Sequence, residues 1–156
     1  MLMRKMLLSF KADVYDRVIA GTKIYEHRKV FPNEPIEAYL YVSSPRQVIT
    51  GKMILKNKQQ LTDWLEKYKS DSEVCKRISS YLQFHSCVME IAEFQETTEI
   101  PLSELRSNLE KFVVPQMYYY IDNSPLLKYI EEHLVNKKIH IVNDFKDVDK
   151  KYICNG

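Results

Sequence analysis

The stretch Gly21-Thr22-Lys23-Ile24-Tyr25-Glu26-His27-Arg28 places an amine, a carboxylate, an imidazole and a guanidinium within six residues. It alternates like a strand, with Ile24, Glu26 and Arg28 on one face and Lys23, Tyr25 and His27 on the other. A carboxylate beside a guanidinium on one face fixes the fork that binds phosphate or a base edge, and Lys23 at the strand mouth adds a mobile point charge. The same spacing describes an ordinary solvated strand with an ion pair of little energetic value. By spacing alone, the ordinary strand is the better description.

Other chemistries lack their residues. Of three glycines only Gly21 and Gly51 lie inside the chain, so neither G-x-G-x-x-G nor G-x-x-x-x-G-K-[ST] can be assembled to cradle a phosphate. H-E-x-x-H, paired C-x-x-C and the deaminase H-x-E with P-C-x-x-C are absent, so no metal and no cofactor is expected. His85-Ser86-Cys87, followed by Glu90, is explained by the start of a strand with a buried cysteine. There is no G-x-S-x-G elbow, and Cys75, Cys87 and Cys154 have no activating neighbours. Their odd number and spacing fit free thiols in a reducing compartment.

These groups must be held by one ordinary core, since 156 residues with 45% hydrophobic and 28% charged side chains have the composition of a globular domain. The apolar start Met6-Leu7-Leu8 ends at Ser9-Phe10-Lys11, too short for a signal peptide, and no window approaches a membrane span. A soluble, cytoplasmic protein is expected. Charge is uneven: residues 1–58 hold 11 Lys+Arg against 5 Asp+Glu, the remainder 12 against 16. A basic front half can orient an anionic partner, although folding can also average the imbalance over the surface.

Hydrophobic periodicity predicts a strand over 6–10, a helix over 12–20 ended by Gly21, and a strand over 23–30. Strands follow over 37–43 and 47–55, joined at Ser44-Pro45-Arg46 and interrupted at Gly51 by a bulge or a close approach. Two short helices are expected within 62–82, broken near Ser70-Asp71-Ser72, then a strand over 87–97 and a helix from Pro101 capped by Ser103. Residues 113–121 read as the last core strand, Ser124-Pro125 opens a helix to about Leu134, residues 138–145 form an edge strand, and the lysine-rich end frays. Short strands interleaved with helices indicate an α+β fold around a small, partly open barrel.

The ordered set Leu7-Leu8-Ser9-Phe10-Lys11, then Gly21, Lys23, Glu26 and Arg28 as G-x-K-x-x-E-x-R, then Tyr41-Val42-Ser43-Ser44-Pro45 and Gly51, resembles an ASCH domain of the PUA-like superfamily. Val114-Pro115-Gln116-Met117-Tyr118-Tyr119-Tyr120-Ile121 is similar to that family's closing strand. The resemblance spans roughly residues 3–134 and shifts the balance on the Lys23–Arg28 strand toward function. It implies a PUA-like β-barrel with flanking helices, a single domain over 1–156 with a helical insertion at about 60–84 and a C-terminal extension from about 135. It also implies a cleft between barrel and first helix and an RNA or nucleotide partner. Carried over by position, the ligand-binding residues are Lys11, Lys23, Glu26, Arg28, Ser43, Ser44, Pro45, Gln116 and Tyr118.

Some relatives hydrolyse N4-acetylated cytidine with a lysine and a threonine three residues later. Here Glu26 stands at that position, with Thr22 nearby, so hydrolysis would need Glu26 as base to a water and Lys23 at the oxyanion. Other relatives are proposed ribonucleases. A third reading is a protein-interaction module, with Trp64, Leu65, Tyr68, Ile78 and Leu82 as its docking surface; the same side chains are better described as covering one end of a barrel.

Overall fold

The computed structural model describes residues 3–155; Met1, Leu2 and Gly156, at the two ends of the expected 1–156 domain, lie outside the described residues. Strand β1 (Arg4–Phe10) is buried on both faces because its apolar residues are consecutive. Met6, Leu8 and Phe10 point to the barrel interior, while Leu7 joins a second cluster. Helix α1 (Ala12–Ile19) follows, buries Tyr15 and Val18, and ends where Gly21 takes a φ of 77°. After β2 (Tyr25–Arg28), strand β3 (Ile36–Val42) returns parallel to β1, Arg4 opposite Ile36 through Phe10 opposite Val42.

The long strands β4 (Val48–Gln60) and β5 (Cys87–Pro101) pair antiparallel and break register between Thr50 and Lys52, Ile54 and Leu55, and Lys56 and Gln59. Such bulges add twist, which curls the sheet. At the first break Gly51 has a φ of 79°, and a Cβ there would lie 3.0 Å from the Phe94 ring and 3.2 Å from that of Tyr15. Gly51 is thus both the bulge and the close approach expected.

Helices α2 (Leu61–Lys67) and α3 (Ser72–Tyr81) lie between β4 and β5; Asp71 caps α3 by accepting from the Val74 N–H at 3.1 Å. Then come α4 (Leu102–Asn108), β6 (Tyr118–Tyr120), α5 (Pro125–His133) and β7 (Asn136–Val142). Ser124 caps α5 through Leu127, with Pro125 in the first turn. The strand order is β2-β5-β4-β3-β1-β6, and β7 pairs with the middle of β5 (Glu93–Thr97) while β2 pairs with its start (Cys87–Glu90). The result is an α+β fold, a mixed sheet curled into a half-barrel with, among the described residues, five α-helices around it.

Four local expectations are corrected. Strand β2 spans four residues, not eight, because Gly21–Lys23 still belong to the end of α1: the Thr22 and Lys23 N–H groups both donate to the Arg17 carbonyl. Of residues 113–121 only Tyr118–Tyr120 pair as strand, and Pro115 brings no N–H to a ladder. Ser103 does not cap α4, which leaves β5 directly at Pro101 while the Leu102 N–H donates to the Gln47 carbonyl. The lysine-rich segment before residue 155 does not fray either. Ile153 and Cys154 are buried with Trp64 and Ile78, and Arg77 donates to the carbonyls of Ile153 and Lys150.

The interaction-module side chains are covering ones. Trp64 and Ile78 are buried against Tyr25 and Val88, with Leu65, Tyr68 and Leu82 packed alongside. No helix among the described residues is long and apolar enough to cross a membrane.

Candidate nucleotide-binding cleft

Strand β6 pairs with β1 only over Met6–Leu8, and the curl brings β2 toward the end of β1 that follows. There the Arg28 Nη2 donates to the Ser9 carbonyl at 2.7 Å, and the guanidinium carbon sits 5.7 Å from the centre of the Phe10 ring. A cleft of about 460 Å³ opens at this seam, walled by α1 on one side and the end of α3 on the other.

Lys11, Lys23, Glu26, Arg28 and Gln116 all line it. Lys23, expected across the strand from Glu26, shares the cleft with it, because the chain has not yet entered the strand at that residue. Ile24, expected beside Glu26, packs in the same cluster as Tyr25 for the same reason. Glu26 is 4% exposed. Its Oε1 accepts from the His27 N–H at 3.1 Å and lies 3.4 Å from Arg28 Nε. Its Oε2 is buried with no hydrogen-bond partner in the protein, as is Arg28 Nε. Burial pushes the Lys23 amine below the ordinary lysine range, against the pull of the Glu26 carboxylate, which raises it.

Four expected residues, Ser43, Ser44, Pro45 and Tyr118, lie elsewhere. Ser43, Ser44 and Pro45 form the turn from β3 to β4, where the Ser43 N–H donates to the Phe10 carbonyl at 2.8 Å. That bond ties down the end of β1 without lining the cleft. Tyr118 stacks on Phe31 at 6.2 Å and packs on the barrel core. Thr22 is exposed, its hydroxyl donating to the Arg17 carbonyl at 3.1 Å.

The cleft also contains Arg17, His27, Phe84 and His85, which the sequence reading did not assign to it. His27 lay within the signature and His85 within a noted triplet; Arg17 and Phe84 had no local signal. The His27 ring packs on Tyr81 at 4.6 Å, and its Nε2 is 3.9 Å from the Cys154 thiol. Its Nδ1 is buried without a hydrogen-bond partner. Burial, reinforced by Lys23 and His85, drives the His27 pKa well below 6.5, and burial lowers that of His85 too.

Stability should therefore fall with acidification. The unfolded chain takes up a proton on His27 below about pH 6.5 that the folded chain refuses, so stability is full above that pH and is lost below it. The limiting slope is about 1.4 kcal/mol per pH unit for one such histidine. Urea midpoints at pH 7.5 and 5.5 measure it: the wild type is expected to lose stability and His27→Phe to lose markedly less. Equal losses in the two proteins would place the acid sensitivity elsewhere.

Four cationic side chains, Lys11, Arg17, Lys23 and Arg28, face one carboxylate in this cleft. Such a set tracks an anion while presenting one strong acceptor, and it contains both hydrogen-bonding polarities unsatisfied.

No family model matches the chain, and no curated protein matches its sequence. Solved structures do. The crystal structure of ASCH from Zymomonas mobilis is 14% identical, with a TM-score of 0.63 over 86% of this chain and 97% of that one. A serine-to-alanine mutant of the same protein is 15% identical, with a TM-score of 0.61 over 83% and 96%. A tyrosine-to-phenylalanine mutant is 14% identical, with a TM-score of 0.59 over 86% and 99%. Side chains so different on a backbone so similar establish architecture alone: the chain has the fold of the Zymomonas mobilis ASCH structures.

Proposed function

We propose that the cleft binds a nucleotide unit, free or within single-stranded RNA, with the base edge on Glu26 and Arg28 and the phosphate on the basic rim. The buried atoms without a hydrogen bond carry the reading: Glu26 Oε2 calls for a donor, and Arg28 Nε, ion-paired with Glu26 Oε1 at 3.4 Å but not hydrogen-bonded to it, for an acceptor, within one cleft. A bare anion would answer the cations but press negative charge against Glu26. A ring edge with an exocyclic amine and an adjacent acceptor answers both. Lys11, which is exposed, and Arg17, which is half-buried, then suit the phosphate. The ASCH fold, with the RNA-linked role its resemblance implies, agrees with this assignment.

Filter binding of short single-stranded RNAs across a salt series tests it. The logarithm of affinity should fall by about 0.7 per phosphate neutralised for each tenfold rise in salt. The double variant Lys11→Ala, Arg17→Ala should bind more weakly and flatten that slope by roughly 1.4. Unchanged affinity and slope in the variant would remove the cleft as the binding site.

One observation favours a second reading, hydrolysis in the same cleft. The Lys23 amine, lowered in pKa by burial, shares the cleft with Glu26. Glu26 would then take the proton from an attacking water while Lys23 steadies the oxyanion. The exposed Thr22, turned to the Arg17 carbonyl, supplies no hydroxyl for a nucleophile.

A further inference from the structure

At the mouth of the cleft the Phe84 ring is 72% exposed. It does not sit on a loose loop. The N–H groups of Phe84 and His85 both donate to the Tyr81 carbonyl, at 3.0 and 2.9 Å, and that of Gln83 donates to Ser80. The turn from α3 to β5 therefore holds a large apolar ring in water, at the cost of the free energy its burial would contribute. It shares the cleft with Lys11 and Arg17, which approach from the other wall on and beside α1.

An aromatic face flanked by cations suits a strand of nucleic acid: the cations follow the backbone, and every base has a face to stack. An acyl chain would leave the cations and Glu26 unanswered, and a simple anion would leave the ring wet. Glu26 lies buried in the floor with the half-buried Arg28 beside it, so one base edge satisfies them and the next base along the chain meets the rim.

We propose that Phe84 is a stacking platform for a second base, so that the ligand of this cleft is an oligonucleotide of at least two units rather than a free nucleoside. This rests on the nucleotide-binding reading above. It adds a subsite that recognises an aromatic ring next to a phosphodiester, without selecting which base that ring belongs to.

The test uses the full chain and trinucleotides of single-stranded RNA, each of the four homopolymers, with forms in which the 5′ or the 3′ base is replaced by an abasic sugar. Charge and phosphate number are the same in each set, so a difference reports the missing ring. For the best-bound homopolymer, one of the two abasic forms is expected to bind about 5- to 150-fold more weakly than the intact trinucleotide. In Phe84→Ala that difference should disappear, and in Phe84→Tyr it should return. The ring lies mostly outside the core, so both variants are expected to fold, which their melting temperatures check. Binding of intact trinucleotides with no loss from either abasic substitution overturns the platform while leaving the nucleotide-binding cleft standing. A loss that persists in Phe84→Ala assigns the stacking to another ring and also overturns it. Failure of every homopolymer to bind overturns the platform and, with it, single-stranded RNA as the ligand of the cleft.

Discussion

Glu26→Gln is expected to weaken binding of short single-stranded RNA by roughly 10- to 150-fold while leaving the salt dependence of binding as it is in the wild type. The side chain is 4% exposed, and its Oε2 has no hydrogen-bond partner in the protein. A ligand donor arriving there makes a charge-assisted bond without displacing an internal one, and such bonds are worth about 1.5–3 kcal/mol. Glutamine keeps the size but offers one carbonyl in place of two charged oxygens, and its NH2 group presents donors where the ligand's donor should meet an acceptor. The slope should not change because a base-edge contact releases no counterion, in contrast to removal of Lys11 and Arg17. Equal affinity for wild type and variant, with equal melting temperatures, would show that no ligand donor meets Glu26. If the cleft also hydrolyses N4-acetylcytidine or RNA, the same substitution should cut turnover by about 10²–10⁴, read by chromatography of products in the presence of a chelator.

Trp64→Ala should produce the largest loss of stability, about 3–5 kcal/mol. Trp64 is 3% exposed, meets the Tyr25 ring edge-on at 4.9 Å and donates from Nε1 to Gln59 Oε1 at 2.8 Å. Its removal opens a cavity beneath β2 among Tyr25, Val88 and Ile153, and leaves His27 with less to pack against on the side away from the cleft. Nucleotide affinity should fall together with stability, whereas Trp64→Phe should recover part of both. Because the chain has a single tryptophan, urea unfolding must be followed by circular dichroism rather than by fluorescence. A loss below about 1 kcal/mol would mean that α2 and α3 contribute little to holding the sheet.

Patterns repeating over a few residues determined much of the local structure. The consecutive apolar residues of β1, the strand-forming run of β3, the alternation in β5, the Ser/Asp break before α3 and the Ser124-Pro125 start of α5 can each be read in the chain, because strand faces, caps and proline act within about four residues. The signature at Lys23, Glu26 and Arg28 was readable in the same way. Its geometry was not. Strict alternation put Lys23 opposite Glu26, whereas the end of α1 still governs the backbone at Lys23 and turns both residues into one cleft.

Tertiary structure decided the rest, through contacts between distant segments. The parallel pairing of β1 with β3, the bulges that curl β4 against β5 and the narrow cover that β6 gives β1 together leave a seam at Ser9 and Arg28. Arg17, Gln116 and Phe84 meet there from three separate segments; Gln116 was reached through the family resemblance, whereas no spacing in the chain could announce Arg17 or Phe84. The lysine-rich end reads as a frayed tail by composition, yet Ile153 and Cys154 are buried. Their burial depends on an apolar hollow made by β2, α2 and α3 and on the Arg77 side chain that bonds the tail's carbonyls, and neither exists until the chain has folded.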